Sequence, residues 1–154
     1  MKLARQDSNR KNVVLVTGSN GFIGNAGVHK LAGRFALAGL DRVASHAPTP
    51  AAEFVCLELT SEESTKRAFE RIRTTFGNRI ASVIHFAAYY DLSGKPSPLY
   101  EEITVRGTER LLRNLQEFDV EHFAFSSLIL VHAPVLPEQG IYEDSPIDAR
   151  CAYR

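Results

Sequence analysis

Apolar residues follow two rhythms along the chain, and their alternation predicts the secondary structure. Short unbroken apolar runs read as strands buried on both faces, whereas apolar residues three and four apart read as helices with one covered side. The first strand is Val13-Val14-Leu15-Val16. A helix follows from about Phe22 to Leu31, weakened by Gly27 and Gly33 because an interior glycine costs about 1 kcal/mol relative to alanine. Phe35 to Leu40 is the second strand, ending at Asp41-Arg42, and Phe54 to Leu59 is the third, with Pro48 and Pro50 marking a loop between them.

Thr60 or Ser61 can cap the next helix, with Glu62 and Glu63 in its first turn and Ala68, Phe69, Ile72 and Phe76 on its buried side before Gly77 stops it. Ile80 to Phe86 is the fourth strand. A loop, Ser93-Gly94-Lys95-Pro96-Ser97-Pro98, leads to the longest helix, from about Leu99 to Phe118. Leu99, Ile103, Gly107, Leu111, Leu115 and Phe118 form one continuous stripe on it, and the small Gly107 lets its backbone press close to the sheet. His122 to Ser126 is the fifth strand, and a proline-punctuated loop fills most of the remainder.

Strands alternating with helices predict an α/β architecture, a Rossmann-type doubly wound parallel sheet of about five strands with right-handed crossovers and helices on both faces. In the order 3-2-1-4-5 a ligand crevice opens at the carboxyl ends of strands one and four, where the order reverses.

The first strand empties into Thr17-Gly18-Ser19-Asn20-Gly21-Phe22-Ile23-Gly24, three glycines spaced three apart. Glycines here permit a tight turn, a close backbone approach to a pyrophosphate and close packing of the following helix, whose free N–H groups and dipole favour an anion. Glycine is also the default residue of any turn with positive φ, so context decides. The triplet follows a strand-like run and opens a helix, and Asp41 stands 23 positions beyond Gly18, where a dinucleotide site needs an acid for the ribose hydroxyls. No Gly-Lys-Ser/Thr follows, which excludes a phosphate loop of the nucleoside-triphosphatase kind.

This segment resembles the opening motif of the extended short-chain dehydrogenase/reductases, the NAD-dependent epimerase/dehydratase family, and similar segments continue over nearly all of the chain after the first dozen residues. The resemblance implies a cofactor site built from Gly18, Asn20, Gly21, Phe22, Ile23, Gly24, Asp41 and Arg42. Glu58-Leu59 stands where relatives show Asp and an aliphatic residue at the adenine edge. Phe86, Ala87 and Ala88, after His85, are similar to the family's small-residue segment against the cofactor, with His85 itself read as a core or strand-end histidine rather than a base. Thr104 stands where relatives commonly carry asparagine. NAD is favoured over NADP, since Asp41 repels a 2′-phosphate, although Arg42 beside it works the other way.

The family's reaction uses Tyr as general acid/base, Ser/Thr to orient the substrate oxygen and Lys to favour the phenolate, because a free phenol titrates near pH 10. Tyr153, in Ala152-Tyr153-Arg154, aligns with the tyrosine, and the lysine position four residues on lies past the last residue. In Phe125-Ser126-Ser127-Leu128 the Ser/Thr position is Leu128, and Ser127 substitutes only if the loop shifts. The resulting expectation is a cofactor-binding domain over 13–154 behind a flexible leader at 1–12, without the C-terminal strands and the substrate domain and without turnover. The alternatives are a non-catalytic NAD(H)-sensing or partner-binding module, and a fragment with no activity of its own.

Composition narrows the partners. Eighteen basic and eighteen acidic residues among 154 give zero net charge, so there is no electrostatic case for nucleic acid or an anionic membrane. No apolar run approaches the roughly 18 residues of a membrane span, and the polar N-terminus lacks a secretion signal. Cys56 and Cys151 have neither zinc nor redox spacing, and no metal site is expected. These features fit a cytoplasmic protein with a small-molecule substrate in the full-length family, and helix pairing in relatives makes a homodimer an open option.

Overall fold

The computed structural model describes residues 12–43, 52–91, 93, 95–136 and 138–148. Its centre is a parallel five-stranded sheet of β1 (Val13–Thr17), β2 (Ala36–Asp41), β3 (Ala52–Cys56), β5 (Ser82–His85) and β7 (Phe123–Phe125), in the order β3-β2-β1-β5-β7. A two-stranded parallel ribbon pairs β4 (Arg79–Ile80) with β6 (Asp119–Val120). The helices are α1 (Phe22–Leu31), α2 (Glu62–Phe76) and α3 (Arg106–Leu115).

Alternation along the strands divides the core between the two faces. Val14 and Val16 of β1 and Leu37 of β2 pack with Val28 of α1 on one side. Leu15, Ala38, Leu40 and Val83 point the other way, into a larger cluster with Phe69 and Ile72 of α2 and Leu111 and Leu115 of α3. Helices thus cover both faces, and the sheet is doubly wound in the Rossmann manner with the expected strand order.

Local signals account for the helices. The Ser61 hydroxyl accepts from the Ser64 amide at 3.1 Å and caps α2, while Gly77, at φ 86°, ends it in a conformation that a Cβ would strain. Gly107 lets α3 approach the sheet edge: a Cβ there would stand 2.9 Å from the Leu59 Cβ.

Several boundaries differ from the sequence reading. The third strand spans Ala52–Cys56 rather than 54–59: the Leu57 amide still bonds to Asp41 O, but that of Glu58 turns to the Ser64 hydroxyl as the chain bends into α2. The expected fourth strand is two, because Arg79–Ile80 pairs with β6, whereas Ser82–His85 runs between β1 and β7. Only Phe123–Phe125 of the expected fifth strand is paired in the main sheet. The long helix is also composite: Tyr100–Val105 winds as a π-helix and Arg106–Leu115 as α. A stripe spaced by four overruns the 3.6-residue turn by about 40° per step, and wider winding in the first turns absorbs part of that drift. Its N-terminal end does not join the core, with Leu99 exposed and Ile103 half-buried, whereas Phe118, past the helix end, is buried edge-on against Phe69.

Asn12 is joined to the sheet by its carbonyl, which accepts from the Ala36 amide. Residues 1–11, Pro48, Pro50, Cys151 and Tyr153 lie outside the described residues.

Candidate functional site

The strand register aligns Thr17 of β1 with Leu40 of β2 and His85 of β5, and His85 with Phe125 of β7, so the carboxyl ends of four strands reach one edge together. The glycine turn occupies the middle of that edge. Gly18 takes φ 66°, and a Cβ on it would sit 2.9 Å from the Ala87 amide nitrogen, so the turn lies directly against the segment after β5. A Cβ on Gly24 would approach Gly18 O to 2.0 Å, and the helix can start here only with glycine at that position. The Gly21 amide closes the turn on Gly18 O at 3.0 Å. No side chain caps α1 at Gly21 and its first turn carries no acid, so the positive end of the helix is left for a ligand anion. Phe22 and Ile23 are exposed beside it.

Asp41 ends β2 next to this turn. Its Oδ2 accepts from the Asn20 amide at 2.9 Å and its Oδ1 from the Arg42 amide at 2.8 Å, while the Asn20 side-chain amide donates to Val43 O. Glu58 stands apart at the end of β3: its Oε1 accepts from both the amide and the hydroxyl of Thr60, and Leu59 is buried against Gly107.

On the other side of the turn, Thr17 and His85 are buried partners, with Thr17 Oγ1 2.6 Å from His85 Nδ1. The Ala87 amide donates to Thr17 Oγ1 at 3.1 Å, and His85 Nε2 lies 2.9 Å from Thr108 Oγ1. Burial pulls the His85 pKa down from 6.5 to about 4, so the imidazole is neutral near pH 7. Thr104, on the π-helix, accepts from the Tyr89 amide at 3.0 Å and thereby grips the strand-end segment in the place where asparagine was expected.

A cavity of about 700 Å³ opens between these groups and β7. Ala87, Ala88 and Thr104 line one side, Ser126, Ser127 and Leu128 another, and Tyr100 stands at its wall with its ring edge-on to Tyr89 and its hydroxyl donating to Asp91 O. Ser127 and Leu128 both reach the cavity, so a polar hydroxyl adjoins the apolar side chain that fills the Ser/Thr position. Among the described residues no group of histidines, cysteines and acids is arranged to hold a metal ion, and no helix is long and apolar enough to cross a membrane.

Of the residues read from sequence, Gly18, Asn20, Gly21, Gly24 and Asp41 are gathered around the turn, with Phe86 and Ala87 against Gly18. Glu58 is tied to Thr60 instead of joining them. The sequence reading missed the Thr17–His85–Thr108 line, the Tyr89–Tyr100 pair, and Gly39, where a Cβ would lie 3.0 Å from the Ser19 hydroxyl. A glycine inside a strand was the available signal for the last of these.

A glycine-lined turn between a strand and an uncapped helix, faced by a strand-end acid at the switch point of a parallel sheet, defines the class: a dinucleotide-type α/β domain. The profile of the NAD dependent epimerase/dehydratase family matches residues 14–153, and the chain belongs to that family. Among solved structures it is similar to the UDP-glucose 4-epimerase of Thermus thermophilus in complex with NAD, with a TM-score of 0.76 and 28% identity over 92% of this chain and 46% of that one. A short-chain dehydrogenase/reductase superfamily protein of Agrobacterium tumefaciens with bound NAD gives a TM-score of 0.72 and 28% identity over 92% of this chain and 40% of the other. The Bordetella bronchiseptica enzyme WbmG in complex with NAD, at 18% identity and a TM-score of 0.73 over 95% of this chain and 46% of its own, shares the fold. The chain therefore spans less than half the length of these structures. No protein of curated function matches it in sequence.

Proposed function

We propose that this chain is the cofactor-binding part of an epimerase/dehydratase-family oxidoreductase and takes NAD in preference to NADP. The observation that carries the reading is the Asp41 carboxylate, fixed by the Asn20 and Arg42 amides beside the uncapped start of α1. The tightness of the turn supports the reading, because a Cβ on Gly18 would meet the Ala87 amide nitrogen and one on Gly24 would meet Gly18 O, so only glycine lets the loop fold back this closely. In this reading the N-terminus of α1, with Gly21, Phe22 and Ile23, receives the pyrophosphate. Asp41 accepts from the adenosine ribose hydroxyls, and its charge opposes a 2′-phosphate. Two relatives at 28% identity that carry NAD support the assignment.

Bound NAD would supply hydride transfer; the protein's part is to hold it and to exclude water. Phe86, Ala87 and Ala88 offer a flat backbone wall between Gly18 and the cavity. Arg42, Glu58 and Leu59 belong to the adenosine side in this assignment, and Thr104 supports the loop from behind. At the cavity Leu128 has no atom to polarise a substrate oxygen, leaving Ser127 as the hydroxyl that can, with Tyr153 as the acid/base by resemblance. That replacement favours cofactor binding without turnover by these 154 residues, and it equally suits an NAD(H)-sensing module.

Calorimetric titration of the chain with NADH and with NADPH tests the proposal. One saturable site with tighter NADH is expected. A folded chain that binds neither, or binds NADPH more tightly, would overturn it.

A further inference from the structure

The hydrogen-bond partners around His85 select one tautomer. The Thr108 hydroxyl donates to Thr104 O at 2.5 Å, the usual back-bond of a helical threonine to the carbonyl four residues earlier. With its hydrogen directed there, Thr108 Oγ1 is placed to accept from His85, which assigns the ring proton to Nε2. A neutral imidazole has one N–H, which leaves Nδ1 as an acceptor. The Thr17 hydroxyl therefore donates to Nδ1 while its oxygen accepts the Ala87 amide.

One directional chain results, running from the Ala87 N–H through Thr17, His85 and Thr108 to the carbonyl of Thr104. At its far end the Thr104 hydroxyl oxygen accepts the Tyr89 amide, so both ends of the chain return to the segment after β5. It joins β1, β5 and the π/α junction at buried or half-buried groups, and no charged side chain takes part. Ala87 is also the residue whose amide nitrogen faces Gly18.

We propose that His85, as its Nε2–H tautomer, is a positioning residue for the dinucleotide site, coupling Thr108 on α3 to the Ala87 backbone that walls the glycine turn. The Thr108 hydroxyl bonds to His85 and to Thr104 O, and through His85 it sets the geometry of the loop against which Gly18 packs. The link to binding rests on the dinucleotide reading, whereas the coupling itself stands on the hydrogen-bond chain.

Amide exchange and ¹⁵N spectra of the whole chain, together with Thr108→Val and Thr108→Ser variants, test it. In the wild type His85 Nδ1 should resonate as an unprotonated ring nitrogen and Nε2 as a protonated one. Thr108→Val removes the acceptor of Nε2–H and should speed exchange at Ala87 by about threefold to tenfold, the range of one lost hydrogen bond. Thr108→Ser, which keeps the hydroxyl, should restore wild-type protection. NADH affinity should follow the same order. A proton on Nδ1, or Ala87 exchange equal in all three proteins, would overturn the coupling whether or not NADH binds. Wild-type protection at Ala87 that responds to Thr108→Val in a chain that does not bind NADH would support the coupling and refute the cofactor reading alone.

Discussion

The Asp41 carboxylate meets the Asn20 amide at 2.9 Å across the turn, a bond that ties the end of β2 to the loop after β1. Because Arg42 N–H holds the other oxygen, the group cannot swing aside without losing both donors.

Asp41→Asn should therefore act on cofactor choice more than on folding. An amide can accept from only one of the two N–H groups and carries no charge against a 2′-phosphate. NADH affinity should fall about tenfold, as expected for loss of a charge-assisted hydrogen bond, and the preference over NADPH should narrow. Parallel titrations with the two cofactors measure both effects.

The glycines of the turn should differ in their tolerance of a methyl group. Gly24→Ala drives a Cβ into Gly18 O, backbone against backbone, and should cost at least about 2 kcal/mol of stability while abolishing dinucleotide binding. Gly21→Ala, at the N-cap of α1, meets only Gly18 O at 3.2 Å and should cost about 1 kcal/mol or less. Urea denaturation of the two variants gives the comparison.

Gly107→Ala tests the packing behind the site. Its new Cβ would meet the Leu59 Cβ at 2.9 Å, so either α3 or the turn after β3 must move. A loss of about 1–3 kcal/mol is expected from such overpacking, readable as a fall in thermal midpoint.

His85 should make stability depend on pH over a defined window. Its folded pKa of about 4 lies below the ordinary 6.5, so between these values the unfolded chain binds a proton that the folded chain refuses. The contribution is complete above pH 6.5 and falls away as pH drops towards 4, by about 3 kcal/mol in total. Urea unfolding from pH 7 to 4.5 should show a shallower slope for His85→Gln than for the wild type. Equal slopes would mean that the buried imidazole takes no part.

The turn was legible because it depends on local chemistry, an apolar run, glycines at fixed spacing and an acid after the second strand, and the sheet order followed from the strand–helix alternation of a Rossmann-type fold. The break at Ala81 was not, since Ile80 and Val83 are equally apolar and equally buried, and only their different partners separate β4 from β5. The π-turn was hidden for a similar reason. A spacing of four reads as helix without separating π from α winding, and the bonds of Thr104 to Tyr89 and of Tyr100 to Asp91 that accompany the π-turn reach outside the helix. His85 was recognised as a strand-end histidine, but its role depends on Thr17 and Thr108, and contacts 68 and 23 residues apart leave no mark on local sequence.

The same 68-residue span between Thr17 and His85 has a consequence for synthesis. β1 lies at the middle of the sheet, yet its second neighbour is made long after it. At about 5–20 residues per second, roughly 3–14 s separate the two on the ribosome. During that interval the growing chain carries an apolar strand with one edge unpaired, a template for any strand-like neighbour. Birth order thus makes the centre of the mature sheet its most vulnerable part while the chain is being made, and a chaperone that shields β1 until β5 emerges would protect the fold at that point.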